Sequence, residues 1–106
     1  MSDLANLTDA TFQAAIARGV TLVDFWAPWC RPCLQLTPLL DKAAAELGDR
    51  ARIVKLDIDA NPEVPASLGI MSIPALVLFK DGQRVTQTGG QSSAAKIVEL
   101  VATALG

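Results

Sequence analysis

Apolar and polar positions along this chain switch between two periods, and the switches divide it into strands and helices. Residues 20 to 27, Val-Thr-Leu-Val-Asp-Phe-Trp-Ala, are an almost unbroken apolar run. A strand that is apolar on both faces belongs at the centre of a sheet. Residues 51 to 58, Ala-Arg-Ile-Val-Lys-Leu-Asp-Ile, read as a second central strand. Between them, Leu34, Leu36, Leu39, Leu40, Ala43, Ala44 and Leu47 recur at helical spacing. A helix is predicted from about Arg31 to Leu47, ended by Gly48, with Pro38 inside it removing one backbone hydrogen bond and kinking it.

The remaining elements follow from punctuation as much as from period. Residues 3 to 6 are a possible edge strand. Thr8 is the expected N-cap of a helix over about residues 9 to 18, which Gly19 ends. Asp59 or Asn61 is expected to cap a short helix with Pro62 in its first turn and Gly69 at its end. Pro65 fits that helix only within the first turn. Ala75 to Lys80 is a strand, Asp81-Gly82 a hairpin turn, and Arg84 to Thr88 its partner. Ser92 or Ser93 caps a last helix with Ile97, Leu100, Val101 and Leu105 inward. Alternating strands and helices followed by a hairpin and a helix predict a three-layer α/β/α sandwich around a mixed sheet.

Length and composition narrow the class. With 106 residues, 51% hydrophobic and 19% charged, the chain is one compact domain and not a disordered segment. A net charge of −2 argues against nucleic acid or an anionic membrane as the main partner. There is no histidine, the commonest general base and metal ligand. The opening residues Met-Ser-Asp-Leu-Ala-Asn lack the basic and apolar regions of a secretory signal, so a cytoplasmic location is expected. No apolar run approaches a membrane span.

The candidate chemistry lies where the first central strand gives way to the long helix. Trp26-Ala27-Pro28-Trp29-Cys30-Arg31-Pro32-Cys33 holds the only two cysteines and the only two tryptophans. A helix start presents unpaired N–H groups and a partial positive charge, which favour an anion. A thiolate is the nucleophile in disulfide exchange, and its pKa falls at such a position and in Cys-X-X-Cys motifs. Zinc needs four ligands, and two thiols without histidine supply half a site, so no metal is expected unless two chains combine. A loop this short also yields little entropic stabilisation as a staple. Redox chemistry is the expected function. Cys30 attacks a substrate disulfide; Cys33 then attacks the Cys30 sulfur and releases the reduced substrate.

Asp24 is a carboxylate inside the apolar run, costly to bury in charged form. Either its side chain leaves the core or pairs with a lysine, or it is a desolvated acid of raised pKa that accepts the Cys33 proton. Lys55, which interrupts Ile53, Val54 and Leu56, is the candidate partner; the blander alternative is an aliphatic stem with an exposed head. Pro74 opens a strand, and composition alone predicts an ordinary trans bond. Asp57 and Asp59 read as solvated faces and caps, too few oxygens for a cation site.

The run from Val23 to Cys33 resembles the active-site segment of the thioredoxin family. Pro38, Asp57-Ile58-Asp59 with Pro62, Ile73-Pro74, Asp81-Gly82 and Gly89-Gly90 extend the resemblance over nearly the whole chain in order. It implies the thioredoxin fold, with about five strands and four helices in a single domain over residues 1 to 106. It implies a protein-disulfide reductase using a Cys30–Cys33 disulfide, with no bound cofactor. Electrons would come from NADPH through a flavin-dependent thioredoxin reductase, and the partners would be that reductase and disulfide-containing proteins, met by a monomer. It supports Asp24 as the proton acceptor. It implies a cis bond before Pro74, and a substrate surface of Trp29, Met71, Ile73, Pro74 and Gly90 around the thiol, pairing with an extended chain. Pro32 and Lys55 join Arg31 as residues expected to tune the couple. Arg31 is the departure, because the family's usual residue there is glycine. A cation at that position favours a more oxidising thiol oxidase or isomerase as the second enzymatic reading. A binding module with incidental cysteines is the alternative from another class.

Overall fold

The computed structural model describes residues 2–105. Its elements are β1 (Asn6–Leu7), α1 (Phe12–Ile16), β2 (Val20–Trp26), α2 (Arg31–Leu47), β3 (Arg52–Asp57), α3 (Glu63–Leu68), β4 (Ala75–Lys80), β5 (Gln83–Thr88) and α4 (Ala94–Ala102). The strands form one mixed sheet in the order β1-β3-β2-β4-β5. The pairs β1–β3 and β3–β2 are parallel, while β2–β4 and β4–β5 are antiparallel.

Period two in β2 assigns the layers, because successive side chains point to opposite faces. Val20 and Leu22 pack with Leu36, Leu40, Ala43 and Leu47 of α2 and with Ile97 and Val101 of α4. Val23 and Phe25 pack on the other face with Phe12 and Ile16 of α1 and Val64 of α3. Phe12 lies edge-on to Phe79 at 5.5 Å. Both faces of the central strands are covered, which is why β2 reads as a continuous apolar run. This is the α/β/α sandwich of the thioredoxin fold. By the same alternation, Leu22, Asp24 and Trp26 share the face beneath α2, and Asp24 is aligned with Lys55 of β3.

Beyond the central strands, some elements follow the local reading and others depart from it. The first strand is Asn6–Leu7 rather than residues 3 to 6. The first helix covers only Phe12–Ile16. Thr8 organises the turn before it: its carbonyl accepts from the backbones of Thr11 and Phe12, and its hydroxyl accepts from Thr11 N. The short helix α3 is not capped by Asp59 or Asn61. Asp9, more than fifty residues away in sequence, accepts from Glu63 N at 3.2 Å and Val64 N at 2.8 Å. Asn61 holds Asp9 in place by accepting its backbone N–H at 3.0 Å. Pro65 is the third residue of α3, where no N–H is needed. The β4–β5 turn places both Asp81 (φ 49°) and Gly82 (φ 85°) in the left-handed region, as a two-residue hairpin requires. Ser93, not Ser92, caps α4 by accepting from Lys96 N.

Candidate functional site

The chain leaves β2 at Trp26, turns through Ala27 to Trp29, and enters α2 at Arg31. Cys30 is the N-cap, in extended conformation, and its sulfur accepts the backbone N–H of Cys33 at 3.3 Å. Pro32 occupies the first turn, where a missing N–H costs nothing. Cys30 and Cys33 form a disulfide, with Cα atoms 5.3 Å apart. Neither sulfur stands out from the surface: Cys30 is 5% exposed and Cys33 1%. Ala27, Trp26, Ile58 and Ile73 pack around the pair. Arg31 and Pro32 are exposed.

On the face of β2 that lies beneath α2 is a buried polar group. Asp24 is wholly inaccessible, and neither carboxylate oxygen has a hydrogen-bond partner among the described residues. Burial pushes its pKa up from 3.8 to about 7, and the nearby charge of Lys55 offsets only part of that rise. The side chain neither leaves the core nor bonds to the lysine. Lys55 is itself buried; its Nζ donates to Thr37 Oγ1 at 3.3 Å and sits 4.2 Å from the centroid of the Trp26 ring. Thr37 in turn donates to the Cys33 carbonyl at 3.3 Å. An open pocket of about 450 Å³ between Trp26, Leu34, Pro38 and Asp41 reaches Lys55 and Thr37 from the surface; Asp24 does not line it. Sequence reasoning had no role for Thr37. Its signal is positional: it lies one helical turn after Cys33 on the side of α2 that covers β3.

On the outer side, Ile73–Pro74 is a cis peptide. Ile73 is half-buried against the cysteines, and Pro74 against Gly90. A Cβ on Gly90 would sit 3.3 Å from Pro74 Cγ, so a larger residue there would require the proline ring to give by a few tenths of an ångström. Trp29 is 67% exposed and Met71 93%. The indole of Trp29 donates to Asp59 Oδ2 at 2.8 Å, so Asp59 orients an exposed aromatic next to Cys30. Of these residues Ile73 packs on the cysteines, Pro74 and Gly90 line a hollow with Pro32, Trp29 precedes Cys30 in the chain, and Met71 lies on the exposed segment leading to Pro74. Among the described residues no cluster of three or more acidic, cysteine or histidine side chains is placed to hold a metal ion.

A disulfide at a helix N-cap, with the exposed Trp29 beside it in the chain, suits thiol–disulfide exchange. Comparison with known proteins agrees. The family model for thioredoxin matches residues 3–103. A thioredoxin of Bacillus subtilis is 43% identical over 98 residues, covering 92% of this chain and 94% of its own. A thioredoxin of Listeria monocytogenes is 43% identical over 96 residues, covering 91% and 93%. A thioredoxin of Staphylococcus aureus is 43% identical over 98 residues, covering 92% and 94%. The chain therefore belongs to the thioredoxin family and is a thiol–disulfide oxidoreductase of the protein-disulfide reductase type.

Proposed function

We propose that Cys30 is the attacking thiol, Cys33 the resolving thiol and Asp24 the acceptor of the Cys33 proton. The observation that carries the order is the N-cap geometry of Cys30, whose sulfur receives a backbone N–H. A thiolate there is stabilised by that donor and by the helix start. Cys30 S⁻ attacks a substrate disulfide, one substrate sulfur leaves as thiolate, and a mixed disulfide forms. Cys33 S⁻ then attacks Cys30 Sγ; the second substrate sulfur leaves, and the Cys30–Cys33 bond closes. Asp24 takes the proton that Cys33 loses, directly or through a water. Its pKa near 7 lets it act as a base at neutral pH.

Trp29, Met71, Ile73, Pro74 and Gly90 are the surface on which an extended substrate chain lies, pairing with the Ile73 backbone. Arg31, Pro32 and Lys55 tune the couple. The oxidised protein is re-reduced by a flavin-dependent thioredoxin reductase with electrons from NADPH. The protein works as a single-domain monomer in the cytoplasm. No helix among the described residues is long and apolar enough to cross a membrane.

The test is limiting alkylation of the reduced protein near neutral pH, with the label mapped by mass spectrometry. Label is expected on Cys30, and Cys33→Ser is expected to accumulate mixed disulfides with substrate. Predominant label on Cys33 would reverse the order.

A further inference from the structure

A second pocket opens on the other flank of α2, beside the disulfide. Its volume is about 260 Å³. That lies below the range of about 300–1,000 Å³ of drug-sized ligand sites and suits one side chain, not a cofactor. Leu36 and Leu39 of α2 line it together with Pro32 and Pro74, Leu36 being buried and Pro32 exposed. Gly90 lines it as well: a Cβ there would sit 3.3 Å from Pro74 Cγ and 3.9 Å from Leu36 Cδ2. Two amides, Gln35 and Gln91, stand at the rim. The Gln91 amide nitrogen donates to Thr88 Oγ1 at 3.3 Å, which leaves its oxygen to accept. Among the described residues no charged side chain lines the pocket.

The pocket shares Pro32, Pro74 and Gly90 with the residues around the reactive segment. Pro32 lies between the two cysteines in sequence, and Pro74 and Gly90 belong to the surface on which substrate is proposed to lie. An extended chain crossing that surface places alternate side chains on one face, about 7 Å apart. One side chain then points at the disulfide and a neighbour within two residues points into the pocket. An aliphatic lining with two amides accepts an apolar side chain and offers the flanking peptide a hydrogen-bond partner. A charged side chain there would lose water and gain no counter-charge.

We infer that this pocket, through Leu36, Leu39, Gln35 and Gln91, selects protein disulfides with an aliphatic residue within two positions of the attacked cysteine. The inference rests on the reductase reading above. Several weak determinants of this kind let one surface serve many substrates while excluding acidic or basic flanks.

The experiment uses the reduced full chain and symmetric disulfides of a short alanine-glycine peptide with a single cysteine. Leucine or aspartate replaces alanine at each of the two positions before and after the cysteine. The readout is the ratio of second-order reduction rates for the substituted and the all-alanine peptide. That ratio cancels changes in the disulfide chemistry common to both. Leucine at one position is expected to give about tenfold, equivalent to about 1.4 kcal/mol, and aspartate there a ratio below one. Gln35→Trp and Gln91→Trp, which fill the pocket from opposite rims, are expected to lower the leucine ratio to about twofold or less. A leucine ratio near one at every position, with the peptides reduced, overturns the pocket and leaves the reductase reading standing. So does a leucine preference that survives both variants. Failure to reduce either these peptides or oxidised insulin overturns the reductase reading, and this inference with it.

Discussion

Asp24 and Lys55 are aligned on neighbouring parallel strands, yet the lysine bonds to Thr37 and the carboxylate bonds to nothing among the described residues. The pair therefore carries opposite charge potential without a hydrogen bond between the two. Lys55 lowers the cost of ionising Asp24 but does not remove it. An acid that is buried, unsatisfied and only partly compensated is a poor contributor to stability and a good proton acceptor.

The first prediction concerns that stability cost. With the folded pKa raised to about 7 and an unfolded value of 3.8, the unfolded chain ionises first. The Asp24 contribution to stability falls as pH rises from about 4 to about 7, stays at its full penalty above that, and is absent below. Asp24→Asn removes the charge but leaves a buried amide without partners. It is expected to stabilise the protein by about 1–3 kcal/mol near neutral pH, and to slow disulfide reduction. Urea unfolding at acidic and neutral pH checks both the sign and the window; a less stable variant at neutral pH with unchanged turnover contradicts the account.

A second prediction isolates Lys55. Lys55→Met removes the charge that favours ionised Asp24, so the Asp24 pKa should move above about 7. The pH range over which stability falls then extends further into the alkaline side. Titration of the Asp24 carboxyl carbon by NMR in both proteins decides this, and a downward shift would exclude the electrostatic role of Lys55.

Arg31 supports a third. It is exposed at the first position of α2, next to Cys30. A guanidinium within several ångströms of a thiolate is worth about 1 kcal/mol at an effective dielectric of 20 to 80. Stabilising the thiolate stabilises the reduced form, which raises the potential by about 20 mV for a two-electron couple. Arg31→Gly is expected to make Cys30 less acidic and the protein a slightly stronger reductant, with both differences shrinking in high salt. Unchanged values at low salt, or a higher potential in the variant, would rule this out.

The fourth concerns Asp9, which supplies both side-chain acceptors at the start of α3. Asp9→Ala should cost about 1–2 kcal/mol and loosen the segment that leads to Ile73 and Pro74. Denaturant midpoints and amide exchange at Glu63 and Val64 measure it. An unchanged midpoint and unchanged protection would show that the bonds contribute nothing.

Much of the site is legible in the order of residues alone. The bounds of α2, the N-cap place of Cys30 and the two central strands follow from periods of 3.6 and two and from glycine and proline stops. The oddity of Asp24 is visible as a carboxylate in an apolar run. What is not legible is where such a group finds partners. Local rules offer a departing side chain, a lysine pair or a desolvated acid of raised pKa, and only the third matches the buried, unpartnered carboxylate of the structure. Asp59 is solvent-exposed, as local rules expect, and in addition accepts from the Trp29 indole thirty residues away in sequence.

The order of residues alone fixes the two central strands, the long helix α2, the hairpin, the position of the reactive thiols and the family the chain resembles. Those properties depend on neighbours along the chain: side-chain period, turn residues and the unpaired N–H groups of a helix start. That Thr37 joins Lys55 to Cys33, that Asp9 caps α3 and that Gly90 lines a pocket with Leu36 follows from the folded packing instead. These depend on strand register and on which helix covers which face. A hydrogen bond acts over about 3 Å, and only the packing of the three layers brings residues far apart in sequence within that distance.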